Sequence, residues 1–383
     1  MRSAVRKREY ARRPRFDGAI VSVVILALAL CVVQVSKAQV SDKSSGENLN
    51  LPGWHTIPNT TLASACPKDD SLHGTSGCAA VIRAWGGAAA DTKRNRLLIW
   101  GGGHNDYYGN EVYALDLASQ RMTLLVPPTP QPQACVEVQR DGKPSSRHTY
   151  FNLTYIPTTD KLFSFGGALA CETGTASYAT WTLDLETLEW KMLDQPEGKT
   201  RPNGQPGLSV VVYDPGTKLV FIEDLNNLYK YDPAANKYSV LNSVHGVDYH
   251  QSGVIDTALK LLLLVGGGQF WAISIAPGSN YSLQNWTARV RGCEMLMNQA
   301  YPGLAFDTER GVVVGWAGGD SVYIFDAKAK SCKAQLFPNG PGEQQANGTN
   351  GRFAYFPALH KFALVNDWQQ DAVLLRLELG EPH

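Results

Sequence analysis

Six times along the chain a polar turn runs into a short, nearly continuous apolar stretch: "DTKRNRLLIWGGG", "IPTTDKLFSFGG", "YDPGTKLVFIED", "IDTALKLLLLVGGG", "FDTERGVVVGWAGG" and "YFPALHKFALVND". The first apolar residues, Leu97, Leu162, Leu219, Leu261, Val312 and Phe362, are spaced 65, 57, 42, 51 and 50 apart. A recurrence near ~50 residues made of strand-length units restricts the fold to an array of like blades. Five copies continue into a second strand pair, as in "NEVYALDLASQRMTLL" and "YATWTLDLETLEWKML". The sixth stops after "DAVLLRLEL", and "GWHTIPNTTL" at 53–62 resembles the outer strand it lacks. The fold class predicted is all-β: a six-bladed propeller whose N-terminal strand completes the last blade. Continuous apolar runs fit blades covered on both faces by their neighbours. A β-sandwich would bury the same strands but would not explain six copies.

The 383 residues carry 35 basic and 35 acidic side chains, yet eight of the basic ones lie within residues 1–38 beside only two acids, leaving 27 basic against 33 acidic residues in the body. A mildly acidic body argues against a phosphate-backbone binder, so nucleic acid is not an expected partner. The basic start is followed by the apolar "AIVSVVILALALCVVQV" (19–35) and then Ser36-Lys37-Ala38. That order reads as a secretory leader cleaved after Ala38, or as an uncleaved anchor whose only membrane contact is 19–35, with the propeller outside the cytoplasm in either case. Residues 39–52 then form a linker, 53–380 the propeller and 381–383 a tail. Without Cys31, six cysteines remain. Pairing in sequence, Cys66 with Cys78, Cys135 with Cys171 and Cys293 with Cys332, closes three local loops. None has the CxxC spacing of a structural zinc site. N-x-[ST] sequons occur at Asn59, Asn152, Asn280, Asn285 and Asn347.

The diglycines ending the second strands, the "VYALDL" and "TWTLDL" third strands and the fourth-strand Trp190 resemble kelch repeats, the blade type of the central domain of galactose oxidase. The resemblance covers 53–380 and is weaker in blades 3 and 6, where "IEDL" and "VNDW" replace the diglycine. It implies a fold, not a function, because kelch propellers include adaptors, lectin-like binders and enzymes. It does not extend to copper: a galactose-oxidase centre draws a ligand from a further C-terminal domain and uses a cysteine thioether, and here the cysteines pair off.

In such a blade the loops between second and third strands and the connections between blades share one face, so residues far apart in sequence pool at one mouth. The pool holds Arg83, Trp85, His104, Asn105, Asp106, Tyr107, Glu111, Arg147, His148, Tyr249, His250, Tyr301 and Arg352. Aromatic faces stack on sugar C–H surfaces, and amides and carboxylates supply directional hydrogen bonds, so a glycan is the expected ligand. Arg83, Arg147 and Arg352 suit a uronate carboxylate. For a uronate lyase, His148 or His250 takes the proton, Tyr249 or Tyr107 protonates the leaving oxygen, and Arg147 or Arg352 neutralises the enolate. Hydrolysis would instead need facing carboxylates from among Asp106, Glu111, Asp320 and Asp367. No cofactor is required, although His104, His148 and His250 with Gln251 or Gln269 would suit a divalent metal if they converged. The competing expectation is a non-catalytic module that docks a protein at the same mouth.

Overall fold

The computed structural model describes residues 49–72, 74–194, 202 and 208–378. The leader or anchor read at 1–38, most of the linker and the 381–383 tail lie outside the described residues. Six four-stranded antiparallel sheets succeed one another as the blades of a propeller. Blade 1 comprises Gly87–Asp91, Arg96–Trp100, Val112–Asp116 and Arg121–Val126, each pairing with the next. The first strands of the others are Leu153–Ile156, Val210–Asp214, Ser252–Asp256, Gly303–Asp307 and Phe353–Phe356. Consecutive first strands touch one another, and that of blade 6 touches that of blade 1, closing the ring on its axis. Gly53–Thr56 supplies the outer strand of blade 6, pairing Gly53 with Arg376 and Thr56 with Val373. The strand missing from the sixth copy is thus found at the other end of the chain.

The apolar runs fill the spaces between blades. Leu98, Trp100 and Leu162 pack between blades 1 and 2, Phe163, Ile222 and Val211 between blades 2 and 3, and four further clusters occupy the remaining spaces. Each sheet has an apolar layer on both faces, which is why the strands do not alternate in polarity.

One face of the ring carries the hairpin turns within blades, and there aspartate ends the strand and closes the turn. Asp116, Asp184, Asp232 and Asp326 each accept the backbone N–H groups two and three residues on. Asp214, Asp256 and Asp307 do the same after first strands. The recurrent "D" of the repeat is therefore an Asx turn that satisfies free backbone donors. The opposite face carries the long loops. All three disulfides form with the expected partners. Cys135–Cys171 ties the connector between blades 1 and 2 to the loop between second and third strands of blade 2, where Arg147–His148 also pairs with Ala168–Leu169.

Candidate functional site

Glycines at the ends of second strands decide what approaches the mouth. Gly103 (φ +90°), Gly167 (φ +101°) and Gly266 (φ +137°) lie in a backbone region that other residues avoid. A Cβ on Gly103 or Gly167 would run into the backbone of the segment carrying His148, and one on Gly266 into the carbonyl of His250. The glycines thus let a connector entering a blade lie directly against a second-strand end, of the preceding blade at Gly103 and of its own blade at Gly167 and Gly266. That connector delivers a histidine to the mouth from blades 2 and 4.

The connectors also present aromatic rings, and they do so from an unusual backbone. Trp85 (φ 52°), Tyr150 (φ 46°) and Tyr301 (φ 45°) are left-handed two or three residues before the first strands of blades 1, 2 and 5, and Asn350 (φ 49°) matches them in blade 6. For bulky L-residues this conformation costs about 1–2 kcal/mol each and persists only where surrounding structure enforces it. The enforcement here is a set of bonds between blades: Tyr150 N–H donates to Trp85 O (2.7 Å), Tyr301 N–H to His250 O (2.8 Å), Thr349 N–H to Tyr301 O (2.9 Å) and Ala88 N–H to Asn350 O (3.0 Å).

The rings so placed form a continuous ribbon. His104 stacks on His148 with centroids 4.2 Å apart and planes within 7°. Trp85 lies 5.0 Å from His148 and 6.0 Å from Tyr150, and Tyr150 meets His148 edge-on at 5.8 Å. Tyr150 then approaches Tyr301 (6.3 Å), Tyr301 approaches His250 (5.6 Å), and Tyr249 covers His250 at 3.7 Å. Seven rings from blades 1, 2, 4 and 5 thus span the mouth. Burial, with a contribution from nearby Tyr249, pushes the Tyr150 phenol up to about 12. Burial also raises Tyr301, aided by Tyr150, Tyr249 and Asp248. The Tyr301 hydroxyl is buried and has no partner among the described residues.

Each end of the ribbon carries an Asp–His pair. Asp106 Oδ2 lies 3.0 Å from His148 Nε2, and Asp106 Oδ1 accepts from Ser76 Oγ. Burial, then the neighbouring His104, lowers His148 to about 4 against the pull of Asp106. His148 is therefore neutral near pH 7, so Nε2–H donates to the carboxylate and leaves a lone pair on Nδ1, which is buried and unpartnered among the described residues. Burial lowers His104 as well. The second pair is open: His250 Nδ1 lies 2.7 Å from Asp248 Oδ1, and both side chains are one-third exposed.

Several expected ligand groups are otherwise engaged. Arg147 is wholly buried, pairs with Glu137 Oε1 (2.9 Å), donates to Ser145 O and Gly166 O, and lies over the Trp100 ring. Arg352 is equally buried and donates to Gly86 O, Gly348 O and Val365 O. Both arginines hold loops to blades and are sealed from solvent, so neither guanidinium is presented to a uronate, which corrects their assignment as carboxylate binders. Tyr107 and Glu111 are internal too: Glu111 Oε1 accepts from Tyr107 and Tyr113 hydroxyls, each at 2.7 Å. Tyr107 is thus not placed to protonate a leaving group, nor Glu111 to face a second carboxylate. Arg83 is half exposed but paired with Asp367 at 2.9 Å. Asn105 is exposed on the loop beside Asp106.

The metal arrangement expected of His104, His148 and His250 does not assemble. Among the described residues no three His, Cys, Asp or Glu side chains group as ion ligands. The stacking of His104 on His148 is the physical reason, since lone pairs in two parallel ring planes run side by side and do not meet at one point roughly 2 Å from each. Gln251, proposed as a further ligand, donates to Gly266 O.

Two residues of the ribbon escaped sequence reading. Tyr150 adjoins residues that were singled out, and aligning the copies on their first strands would have matched it to Trp85 and Tyr301. Asp248 stands two residues before His250, the spacing that lets it hold the ring.

No family model matches the chain, and no curated protein matches it in sequence. Among solved structures it is similar to a structural-genomics protein of unknown function from Bacteroides thetaiotaomicron VPI-5482, with 11% identity, a TM-score of 0.50, and coverage of 85% of this chain and 76% of that one. At that identity the likeness is one of fold.

Proposed function

We propose that the protein is an exported kelch-type propeller whose mouth binds a glycan. The ribbon from His104 to Tyr249 carries this reading: rings from four blades are held in place by backbone bonds, with Trp85 and Tyr150 part-exposed and Tyr249 43% exposed. Apolar ring faces beside Asp, His and phenol groups suit a ligand with alternating C–H faces and hydroxyls. The kelch reading draws on the diglycines and on the turn-closing aspartates, and the export reading on the basic-apolar start and on three disulfides, which need an oxidising compartment to persist. Among the described residues no helix is long and apolar enough to cross a membrane.

Binding is favoured over uronate cleavage because the arginines required to neutralise an enolate are spent inside the fold. The protein-docking alternative has less support. Leu124, Met192, Val240 and Leu336 each lie on the outer strand of a different blade, and the exposed apolar residues of the mouth-face connections, Val138, Tyr178, Tyr249 and Met295, each lie on a different connection. A docking face would gather them into one patch. Calorimetric titration with neutral, acidic and amino oligosaccharides, combined with absorbance at 235 nm for unsaturated uronates, tests the proposal. Saturable binding without 235 nm product is expected, and no binding by any sugar would defeat it.

A further inference from the structure

Beside the ring ribbon the charges of the described residues are one-sided. The ring ribbon is flanked by two carboxylates, Asp106 at one end and Asp248 at the other, with side chains 28% and 33% exposed. Arg147 and Arg352 are sealed in the body, and Arg83 is paired with Asp367. His148, sealed at 1% exposure and already donating to Asp106, adds no positive charge near neutral pH. What remains facing a ligand is an acidic, aromatic surface of Trp85, Tyr150 and Tyr249, with the buried Tyr301 ring packed against Tyr150 and His250. Among them the buried Tyr301 hydroxyl has no partner within the described residues.

Ring faces are negative and attract cations, the more strongly where water is excluded. A carboxylate at the edge of such a surface adds attraction and a hydrogen-bond acceptor for N–H groups. A uronate would meet two carboxylates with no free guanidinium, and a neutral sugar would leave their charge unanswered. We infer that the mouth selects glycans bearing a free amine: the ammonium of a 2-amino sugar lies between Asp248 and the faces of Tyr150 and Tyr249. The inference rests on the glycan reading and names its ligand class.

The test is titration of the whole protein at about pH 5.5, where a sugar amine is charged. The probes are tetraglucosamine, tetra-N-acetylglucosamine, cellotetraose and tetragalacturonate. Tetraglucosamine should bind at least about tenfold tighter than its N-acetylated form, and tetragalacturonate least well. Asp248→Asn keeps the oxygen that holds His250 and should bring the amine and N-acetyl affinities to within about twofold; Asp106→Asn provides the same comparison at the other end of the ribbon. Equal affinity for the amine and N-acetyl forms in the wild type, or a preference for the galacturonate, overturns the amine inference and leaves the glycan reading standing. Failure of all four sugars to bind overturns both.

Discussion

The two faces of the propeller are built from the same six copies yet solve opposite problems. On the face of the intra-blade turns, polar groups answer one another locally: Asp91, fully buried, takes Arg94 and Arg96, and Arg94 reaches across to Asp160 at 2.6 and 2.8 Å. On the mouth face, aromatic residues stand in left-handed backbone, and buried polar atoms such as Tyr301 Oη and His148 Nδ1 lack partners among the described residues. Left-handed residues on the first face, such as Asn95, Lys218, Asn236 and Lys260, close hairpin turns, whereas on the second Trp85, Tyr150 and Tyr301 hold bulky rings in that conformation at matching blade entries. Placements of that second kind stabilise nothing by themselves, which is why function is sought there.

Substitutions should separate the faces. Asp91→Ala leaves Arg96 without its buried partner and Arg94 with Asp160 alone, and should cost about 3–5 kcal/mol by chemical denaturation, with the oligosaccharide affinity of the remaining folded protein unchanged. Replacing Cys135 and Cys171 by serine should cost about 2–4 kcal/mol and also weaken ligand binding, because the bridge fixes the connector that carries His148. If that double variant binds normally, the mouth does not depend on the connector's position.

The third comparison uses pH. Burial holds His148 at about 4 in the folded chain, below the ordinary histidine value near 6.5. The unfolded chain therefore binds the extra proton first as pH falls. The stability linked to neutral His148 is complete above about pH 6.5 and is lost as pH drops toward 4, by roughly 2–3 kcal/mol. His148→Gln should flatten the stability profile in that window, and an unchanged slope would place the sensitivity elsewhere. The smallest effect is expected on the turn face: Asp160→Asn, in a partly solvated ion cluster, should cost about 1 kcal/mol or less, with most of the loss screened away in high salt.

The contrast also explains what the sequence could reveal. Blade number, the closing N-terminal strand and the disulfide pairs follow from local pattern, since a diglycine, a turn aspartate or a loop-closing cysteine acts within its own copy. The mouth is assembled across copies. Trp85, His104, His148, Tyr249, His250 and Tyr301 were identifiable by pooling loops, but whether an arginine in such a pool reaches solvent depends on what lies above it. Arg147 finds Glu137 in a connector whose path no repeat pattern predicts, and Arg352 finds carbonyls from its own blade and from blade 1. The stacking of His104 on His148, which excludes a shared metal, depends on ring orientation and leaves no trace in residue order.

The ribbon itself is tested most directly by titrating one well-bound oligosaccharide into the wild type and into the Trp85→Ala/Tyr249→Ala double variant, with thermal melting as the control for folding. The account predicts one site per chain in the wild type and a loss of about 100-fold or more in affinity in the variant, with each stacking ring contributing about 1–3 kcal/mol. Undiminished affinity in a folded double variant would contradict it.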